Sequence, residues 1–382
     1  MNTQWAVRVL SGEDKSFTAG ALRLALGPAS QLYGLGVAGY WALYRFGLLR
    51  RVKLPCPVVS VGNITVGGTG KTAAVRFLAR GLQQRGLRPA VLSYGYHGGG
   101  LGEPRWVSQG RERLLSPAEC GDEAALLADS LPGVPVVVGS RRADSGRMVC
   151  SHPWPPDQAP QVLLLDDGFQ YWRLHRDLDL VLIDATNPFG YDQPLPRGLL
   201  REPMGALARA DGFLLTRCDQ VEAPEAVEGI THRLARANPS APTWRSSYAP
   251  RSLTSLSESS EELPLDHLRG LPVATLSSLG NPASFEATVQ ACGATLVHAA
   301  RFPDHHLYTE DEVALVVAQA ITHGAQAIVV SDKDAVKIRE FSRRRWPLPL
   351  HRLNAELAVD GGDDLLDRAA AVLRQSSADY RL

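Results

Sequence analysis

Short apolar runs alternate with amphipathic stretches over most of the chain. The runs 134–138, 162–165 and 178–183 consist mostly of valine, leucine and isoleucine, which is typical of strands buried on both faces of a parallel sheet. Stretches with helical spacing, such as 73–80 and 117–130, lie between such runs. This alternation predicts an α/β fold built on a doubly wound parallel sheet with helices on both faces.

One apolar run, 58–61, leads into a glycine-rich loop. The loop reads Thr65-Val66-Gly67-Gly68-Thr69-Gly70-Lys71-Thr72. Its backbone N–H groups and the positive end of the next helix are suited to phosphate oxygens. Lys71 adds a charge for the β- and γ-phosphates, and Thr72 offers a hydroxyl to Mg²⁺. The sequence therefore predicts a phosphate loop for a nucleotide, although Thr65 stands where the usual pattern has its first glycine.

The pattern changes along the chain, and the changes predict five regions. Residues 237–262 are rich in proline, serine and alanine and lack periodicity, as a linker or an extended hairpin would. A second, smaller set of strands and helices follows. The regions are an N-terminal apolar helix with a basic flank (1–54), the phosphate-loop domain (55–236), a linker (237–269), a smaller α/β domain (270–360) and a C-terminal helix that could pack back on the first domain (361–382).

The N-terminal region has no charged residue between Leu24 and Tyr44. Basic residues follow at once, namely Arg45, Arg50, Arg51 and Lys53. We expect a helix that lies in or dips into a membrane surface, with the basic cluster facing anionic lipid. The alternative is a buried hairpin of the first domain.

Aspartates end two of the apolar runs. Asp166 and Asp167 follow one run, and Asp184 ends the next. In an open α/β sheet, ligands bind outside the carboxyl ends of the strands. One carboxylate there is expected to hold Mg²⁺ together with Thr72. We expect Asp166 to be that ligand, with Asp184 as a rival, although one of the paired aspartates could instead cap a turn.

Two further acidic and histidine positions have open interpretations. Asp122 and Glu123 begin a predicted helix after Gly121, where they could simply complement the helix dipole. Asp122 could also serve as a general base. His305, beside Asp304, could be catalytic or could belong to a solvated loop.

Arg197 and Arg201 lie in a segment that also contains Pro194, Pro196 and Gly198. The planar guanidinium group can bind an anion through two hydrogen bonds. These two arginines are therefore candidates for binding an anionic substrate, and ordinary surface arginines are the alternative.

The composition limits the range of functions. The chain has 382 residues, 40 basic and 40 acidic residues and no net charge, so it lacks the basic excess of a nucleic-acid binder. Its five cysteines show neither metal-ligand spacing nor the density of a disulfide framework, which predicts a reducing compartment.

The order of several segments resembles that of the tetraacyldisaccharide 4′-kinases, the lipid A 4′-kinases of Gram-negative bacteria. The matching segments are 27–34, 61–72, 121–123, 165–170, 200–203, 280–282, 302–305 and 332–337. The segment 165–170, Leu-Asp-Asp-Gly-Phe-Gln, is the most specific of them. Threonine in the first-glycine position of the phosphate loop is the form that this family has.

The resemblance implies ATP-dependent phosphorylation of the 4′-hydroxyl of a tetraacylated glucosamine disaccharide 1-phosphate, which gives lipid IV-A. It implies a place on the cytoplasmic face of the inner membrane, with the N-terminal helix at the bilayer. Two α/β domains joined by a hairpin-like linker, with the active site in the cleft between them, are also implied. Asp122 corresponds to the family's proposed base, and Asp167 to an aspartate that pairs with the histidine matching His305.

The chain departs from the family pattern at two positions. Tyr94 stands where the family usually has an arginine, whose role could pass to Arg141 or Arg142. Ala124 stands where the family usually has a proline, which leaves the carboxylate of Asp122 in place.

A GTPase-type metallochaperone or switch protein is the alternative function. It would use the same phosphate loop, with Thr216-Arg217-Cys218-Asp219 as a guanine-reading motif. Against it, Arg217 replaces the motif's lysine, and no cluster of metal ligands accompanies the motif.

Overall fold

The computed structural model describes residues 3–95, 102–221, 223–256, 261–341 and 344–379. The strands are β1 (Val58–Asn63), β2 (Pro89–Ser93), β3 (Arg105–Gln109), β4 (Pro135–Val138), β5 (Val162–Asp166), β6 (Leu178–Asp184), β7 (Gly212–Thr216), β8 (Thr243–Ser255), β9 (Glu262–Leu263), β10 (Pro272–Ser277), β11 (Thr295–Arg301), β12 (Ala327–Val330) and β13 (Leu350–Val359). The helices are α1 (Thr3–Ser11), α2 (Phe17–Arg45), α3 (Lys71–Gln84), α4 (Pro117–Cys120), α5 (Asp122–Ser130), α6 (Arg142–Ser151), α7 (Pro224–Ala237), α8 (Pro282–Ala291), α9 (Glu310–Thr322), α10 (Asp332–Ile338) and α11 (Gly362–Asp379). This succession confirms the predicted α/β class.

The chain forms two compact units, each built from separated segments. The first unit comprises Met1–Lys71, Gln161–Ser246 and Val359–Leu382. The second comprises Thr72–Pro160 and Ser247–Ala358. The continuous domains expected from the sequence stay a prediction.

The first unit contains a parallel sheet with β1 near its centre. β1 pairs with β5 on one side and with β6 on the other, while β6 pairs with β7 and β7 with the start of β8. All residues of β1, β5 and β7 are buried, as expected of strands covered on both faces. Parallel strands bring their carboxyl ends to one edge, so this edge carries Asn63, Asp166, Asp184 and Thr216.

The chain after β5 packs directly against β1. A Cβ added at Gly62 would lie 2.5 Å from the Cβ of Phe169, and one added at Gly168 would lie 2.6 Å from the hydroxyl oxygen of Ser60. Only glycine permits this approach at both positions. The two glycines therefore let the Asp-Asp-Gly-Phe-Gln segment lie beside the strand that leads into the phosphate loop.

The second unit contains two sets of strands. In one, β2 and β4 are parallel and β3 runs antiparallel to β4. In the other, β10 lies between β11 and β12, and β12 pairs with β13, all in parallel. β9 pairs antiparallel with the end of β8, as in the extended hairpin considered for 237–262. Helix α9 begins with a capping box, in which the hydroxyl of Thr309 accepts from the N–H of Glu312.

Helix α2 is one continuous helix that exposes an apolar face. Phe17, Leu24, Leu32 and Leu35 lie on that face and are 70% to 90% exposed, while Ser30 is buried on the opposite side. The alternative of a buried hairpin is therefore wrong. In the part of the chain that the structure describes, no helix combines the length and the apolar character needed to cross a bilayer.

Candidate active site

The phosphate loop has the backbone conformation that its glycines permit. Gly67 has a φ of 108° and Gly70 a φ of 91°, a region that other residues rarely adopt. A Cβ added at Gly67 would meet no atom within 4 Å, so space is open beside the loop. Helix α3 begins at Lys71, which places Thr72 in its first turn. The predicted order of strand, loop and helix is confirmed.

The loop is fastened on one side to the segment that contains Arg201. The N–H of Val66 donates to the carbonyl of Leu199 at 2.8 Å, and the N–H of Arg201 donates to the carbonyl of Ile64 at 2.7 Å. These bonds align the start of the loop with residues 199–201. They bring the Arg201 side chain to the carboxyl end of β1.

Side chains after β7 fasten the loop on its other side. The hydroxyl of Thr216 donates to the carbonyl of Thr69 at 3.0 Å. The guanidinium of Arg217 donates to the carbonyl of Gly68 at 2.7 Å and to a carboxylate oxygen of Asp184. Arg217 is thus held by the phosphate loop, which is not the arrangement expected of a residue that reads a guanine base.

Two cations converge on one carboxylate and one amide at the end of β1. Arg201 donates to Asp167 Oδ1 at 2.7 Å and to Asn63 Oδ1 at 3.2 Å. Lys71 Nζ donates to Asn63 Oδ1 at 3.4 Å and lies 3.8 Å from Asp167 Oδ1. No role for Asn63 was predicted from the sequence, although a polar residue that ends a buried strand is a recognisable signal. This cluster fixes Lys71 beside the loop.

A second set of contacts supports the same segment. The side-chain amide of Gln170 donates to the carbonyl of Asn63 at 2.9 Å and to Glu202 at 3.0 Å. Arg209 donates to both oxygens of Glu202, at 2.8 and 3.1 Å, and its guanidinium lies 4.2 Å from the centre of the Phe169 ring. Burial lowers the pKa of Arg209, although Glu202 opposes this effect. The network joins residues 169–170 to β1 and to residues 202–209.

A pocket of about 530 Å³ opens beside Arg201. It is lined by Tyr33, Gly36, Val37, Tyr40, Gln170, Trp172, Arg201 and Glu202. The hydroxyl of Tyr33 donates to the backbone carbonyl of Arg201 at 2.9 Å. One face of helix α2 and the side chains of Arg201 and Glu202 therefore share a cavity with apolar and charged walls.

The two candidate anion-binding arginines lie in different surroundings. Arg201 contacts Asp167, as described, whereas the guanidinium of Arg197 donates to the backbone carbonyl of Leu10 at 3.1 Å. Burial lowers the pKa of Arg197. The structure thus brings Arg201, but not Arg197, to the phosphate loop.

Asp122 lies in the second unit, at the start of α5. Gly121 has a φ of 85° and separates α4 from α5, so the single helix expected over 117–130 is broken there. Nδ1 of His305 lies 2.9 Å from Asp122 Oδ1. Among the described residues, none donates a hydrogen bond to Asp122 Oδ2, which lies 3.7 Å from Lys337 Nζ.

The charges around Asp122 stabilise its ionised form. Burial raises its pKa, but the hydrogen bond with His305 and the nearby Lys333 and Lys337 outweigh burial and hold the pKa well below the usual range. For His305, burial lowers the pKa, and the hydrogen bond with Asp122 reverses this and leaves the pKa raised. The two groups thus favour a carboxylate beside an imidazolium.

The segment 332–337 places positively charged lysines near Asp122, a role that the sequence did not reveal. Lys333 Nζ lies 2.8 Å from Glu123 Oε1. Asp334, which is fully buried, accepts a hydrogen bond from the hydroxyl of Tyr308 at 2.8 Å and lies 3.1 Å from Lys337 Nζ. Helix α10 therefore presents two lysines to the start of α5. Burial and the Asp334 carboxylate raise the pKa of Tyr308.

Within its own unit, His305 contacts Asp122, a pairing that was not predicted from the sequence. Asp167 belongs to the first unit and His305 to the second, and the pairing of these two residues stays a prediction. The position that departs from the family, Tyr94, has the guanidinium of Arg142 5.1 Å from its ring centre. A cation thus remains close to that position, as a cation–π contact.

The buried strand, the glycine-rich loop, the helix with its lysine and threonine, and the carboxylates at the strand ends define a phosphate-loop phosphotransferase. The sequence model of the family tetraacyldisaccharide-1-P 4′-kinase matches residues 22–370. The tetraacyldisaccharide 4′-kinase of Anaeromyxobacter dehalogenans is 44% identical over 332 residues, which cover 86% of this chain and 85% of the relative. That of Geobacter sulfurreducens is 40% identical over 361 residues, which cover 92% and 97%.

A solved structure shares the fold. The crystal structure of the Aquifex aeolicus family member in complex with ATP superposes with a TM-score of 0.71 at 30% identity, and it covers 92% of this chain and 99% of that one. The chain belongs to the tetraacyldisaccharide 4′-kinase family. It is an ATP-dependent kinase of lipid A biosynthesis, and the alternative of a GTPase-type switch protein is wrong.

Proposed function

We propose that this protein transfers the γ-phosphoryl group of ATP to the 4′-hydroxyl of tetraacyldisaccharide 1-phosphate. The observation that carries the proposal is the convergence of Lys71 and Arg201 on Asp167 beside the phosphate loop. Phosphoryl transfer depends mainly on the placement of reactants and on stabilisation of negative charge. A loop of amides with two fixed cations supplies both.

The residues of the loop fit a nucleotide with its metal ion. Thr72, in the first turn of α3, offers a hydroxyl, and Asp166 offers a carboxylate at the buried end of β5. We propose Asp166 as the metal-binding aspartate, because it ends the buried strand β5 beside β1, the strand that leads into the loop. Mg²⁺ bound with ATP neutralises charge on the phosphates.

We propose Asp122 as the base for the acceptor hydroxyl. Its low pKa keeps it ionised, and its Oδ2 is the oxygen that can accept the proton, because Oδ1 faces His305. His305 orients the carboxylate through Nδ1. A weak base is sufficient, because a loose phosphoryl-transfer transition state needs little deprotonation of the nucleophile.

We propose that α2 places the enzyme on the cytoplasmic face of the inner membrane of a Gram-negative bacterium. Its exposed face carries Phe17, Leu24, Leu32 and Leu35, and the basic residues that follow it are suited to anionic lipid. A substrate with four acyl chains resides in the bilayer. The pocket between α2 and Arg201 would then be close to that surface.

The test is incubation of the protein with labelled ATP and purified disaccharide 1-phosphate in micelles, followed by mass analysis for one added phosphate. Lys71→Ala should abolish this product without changing the melting temperature, because the lysine stabilises charge on the transferred group. Lys15→Ala, a substitution at an exposed lysine, is the matched control. Turnover by Lys71→Ala at the wild-type rate would contradict the assignment of the loop.

A further inference from the structure

Two residues after β7 act on consecutive carbonyl groups of the phosphate loop. Thr216 donates to the carbonyl of Thr69, and Arg217 donates to the carbonyl of Gly68. Both residues are buried, with exposed fractions of 0% for Thr216 and 7% for Arg217. The loop carbonyls are therefore held toward the end of β7 by buried donors.

This anchoring determines where a loop amide points. In a planar trans peptide, the carbonyl of one residue and the N–H of the next point in opposite directions. Because the carbonyl of Thr69 is directed to Thr216, the N–H of Gly70 points away from β7. Phosphate loops bind their ligand through such amides, so the donors hold a loop amide in the orientation that phosphate binding requires.

Arg217 is itself fixed in place. Its backbone has a φ of 58°, a left-handed conformation that is uncommon outside glycine. One side of the guanidinium contacts the loop, and another contacts Asp184. Asp184 also accepts from the N–H and hydroxyl of Thr186, at 3.0 and 2.7 Å. The planar group with several donors can serve both partners at once, which a lysine cannot do in the same way.

We propose that Thr216 and Arg217 are positioning residues for ATP, which hold the loop carbonyls back so that the loop amides are preorganised for the triphosphate. This inference rests on the proposed nucleotide role of the loop. It gives a function to Thr216 and Arg217, the first two residues of the poor match to a guanine-reading motif.

The experiment compares Thr216→Val with a double variant, Arg217→Met with Asp184→Asn. The double variant removes the guanidinium without leaving a buried carboxylate unpaired. The readouts are the dissociation constant for ATP, the inhibition constant for inorganic triphosphate, and KM for the disaccharide. We expect each variant to bind both ATP and inorganic triphosphate about tenfold more weakly, which is the effect of losing a well-placed hydrogen bond. KM for the disaccharide should be unchanged.

The matched control is Arg233→Met with Asp192→Asn, an ion pair of the same unit whose side chains are 46% and 54% exposed. Arg217→Lys should retain part of the affinity for triphosphate, because lysine keeps the positive charge but lacks the planar guanidinium that binds two partners at once. Wild-type affinity for ATP in folded Thr216→Val and in the folded double variant would overturn the inference, as would equal losses of ATP and disaccharide affinity.

If the double variant does not fold, the result for Thr216→Val alone decides the inference. If Lys71→Ala is inactive but the Thr216 and Arg217 variants bind ATP normally, this inference is wrong and the proposed function stands. If Lys71→Ala is fully active, the proposed function is wrong.

Discussion

The pairing of Asp122 with His305 shows how one residue sets the protonation of another. The imidazole is largely buried, which alone would lower its pKa, and Lys333 acts in the same direction. Asp122 reverses both effects through the hydrogen bond at 2.9 Å. The charge of the histidine therefore depends on the carboxylate that it orients.

Asp122→Asn should lower the pKa of His305 below its usual value near 6.5, because burial and Lys333 would then outweigh the weaker effect of Asp304. Turnover should fall at least about a hundredfold, as expected for loss of a general base. The pKa is measured by NMR titration of the His305 ring, assigned with His305→Gln.

The same substitution should change stability with a defined sign. A raised pKa stabilises the folded protein below about 6.5, and this contribution is lost as pH rises through the folded pKa of His305. The difference in unfolding free energy between wild type and Asp122→Asn should therefore shrink at alkaline pH. Asp304→Asn is the control, since Asp304 lies 3.7 Å from Nε2 and raises the pKa less. An unchanged His305 pKa in Asp122→Asn would refute the coupling.

Several site residues could be named from the sequence because they follow a local pattern. Lys71 and Thr72 end a glycine-rich loop, and Asp166 ends an apolar run. Lys337 could not be assigned a role in this way, because its importance lies in its proximity to Asp122, which is distant in sequence. Spacing reveals a loop or a strand end, whereas it does not reveal which buried lysine faces a carboxylate.

At the level of elements, helix α2 is attached to the first unit on one side and exposed to solvent on the other. The hydroxyl of Ser30 donates to the carbonyl of Pro194 at 2.7 Å, and Tyr33 donates to the carbonyl of Arg201 at 2.9 Å. These contacts fix the inner side of the helix within the first unit. Its outer side, with Leu24 and Leu35, is left to solvent.

Replacing Leu24, Leu32 and Leu35 together with serine should weaken binding to vesicles of anionic phospholipid. Each buried leucine side chain contributes about 2 kcal/mol when it leaves water. Vesicle sedimentation measures the loss, and Leu315→Ser, at an exposed leucine of α9, is the control. Unchanged sedimentation of the triple variant would contradict the membrane role of α2. Deleting residues 1–45 is less informative, since it also removes the contacts of the inner side.

The elements that the sequence predicted best are buried strands such as β4, β5 and β6, which coincide with the apolar runs. β3 escaped prediction because only Val107 and Ser108 are buried in it and it pairs antiparallel with β4. The seven residues of α10 are too few for a clear helical period. Continuous burial leaves a readable pattern, whereas partial burial and short length do not.

At the scale of the whole molecule, the predicted pairing of Asp167 with His305 links residues of different units. If the two act as a pair, Asp167→Ala and His305→Ala together should reduce kcat little more than the more damaging single change. The measurement is a double-mutant cycle on kcat at saturating ATP. Fully additive losses would show that the residues act independently, and the pairing would have to be abandoned.

The discontinuous first unit has a consequence for folding during synthesis. Its strand β1 is made before its neighbours β5 and β6, which come about a hundred residues later, and α11 of the same unit is made after the whole of the second unit. Pairings between residues so distant in sequence form slowly, because the intervening loop must close first. An apolar β1 thus emerges from the ribosome long before its partners, and the nascent chain needs protection from aggregation during that interval.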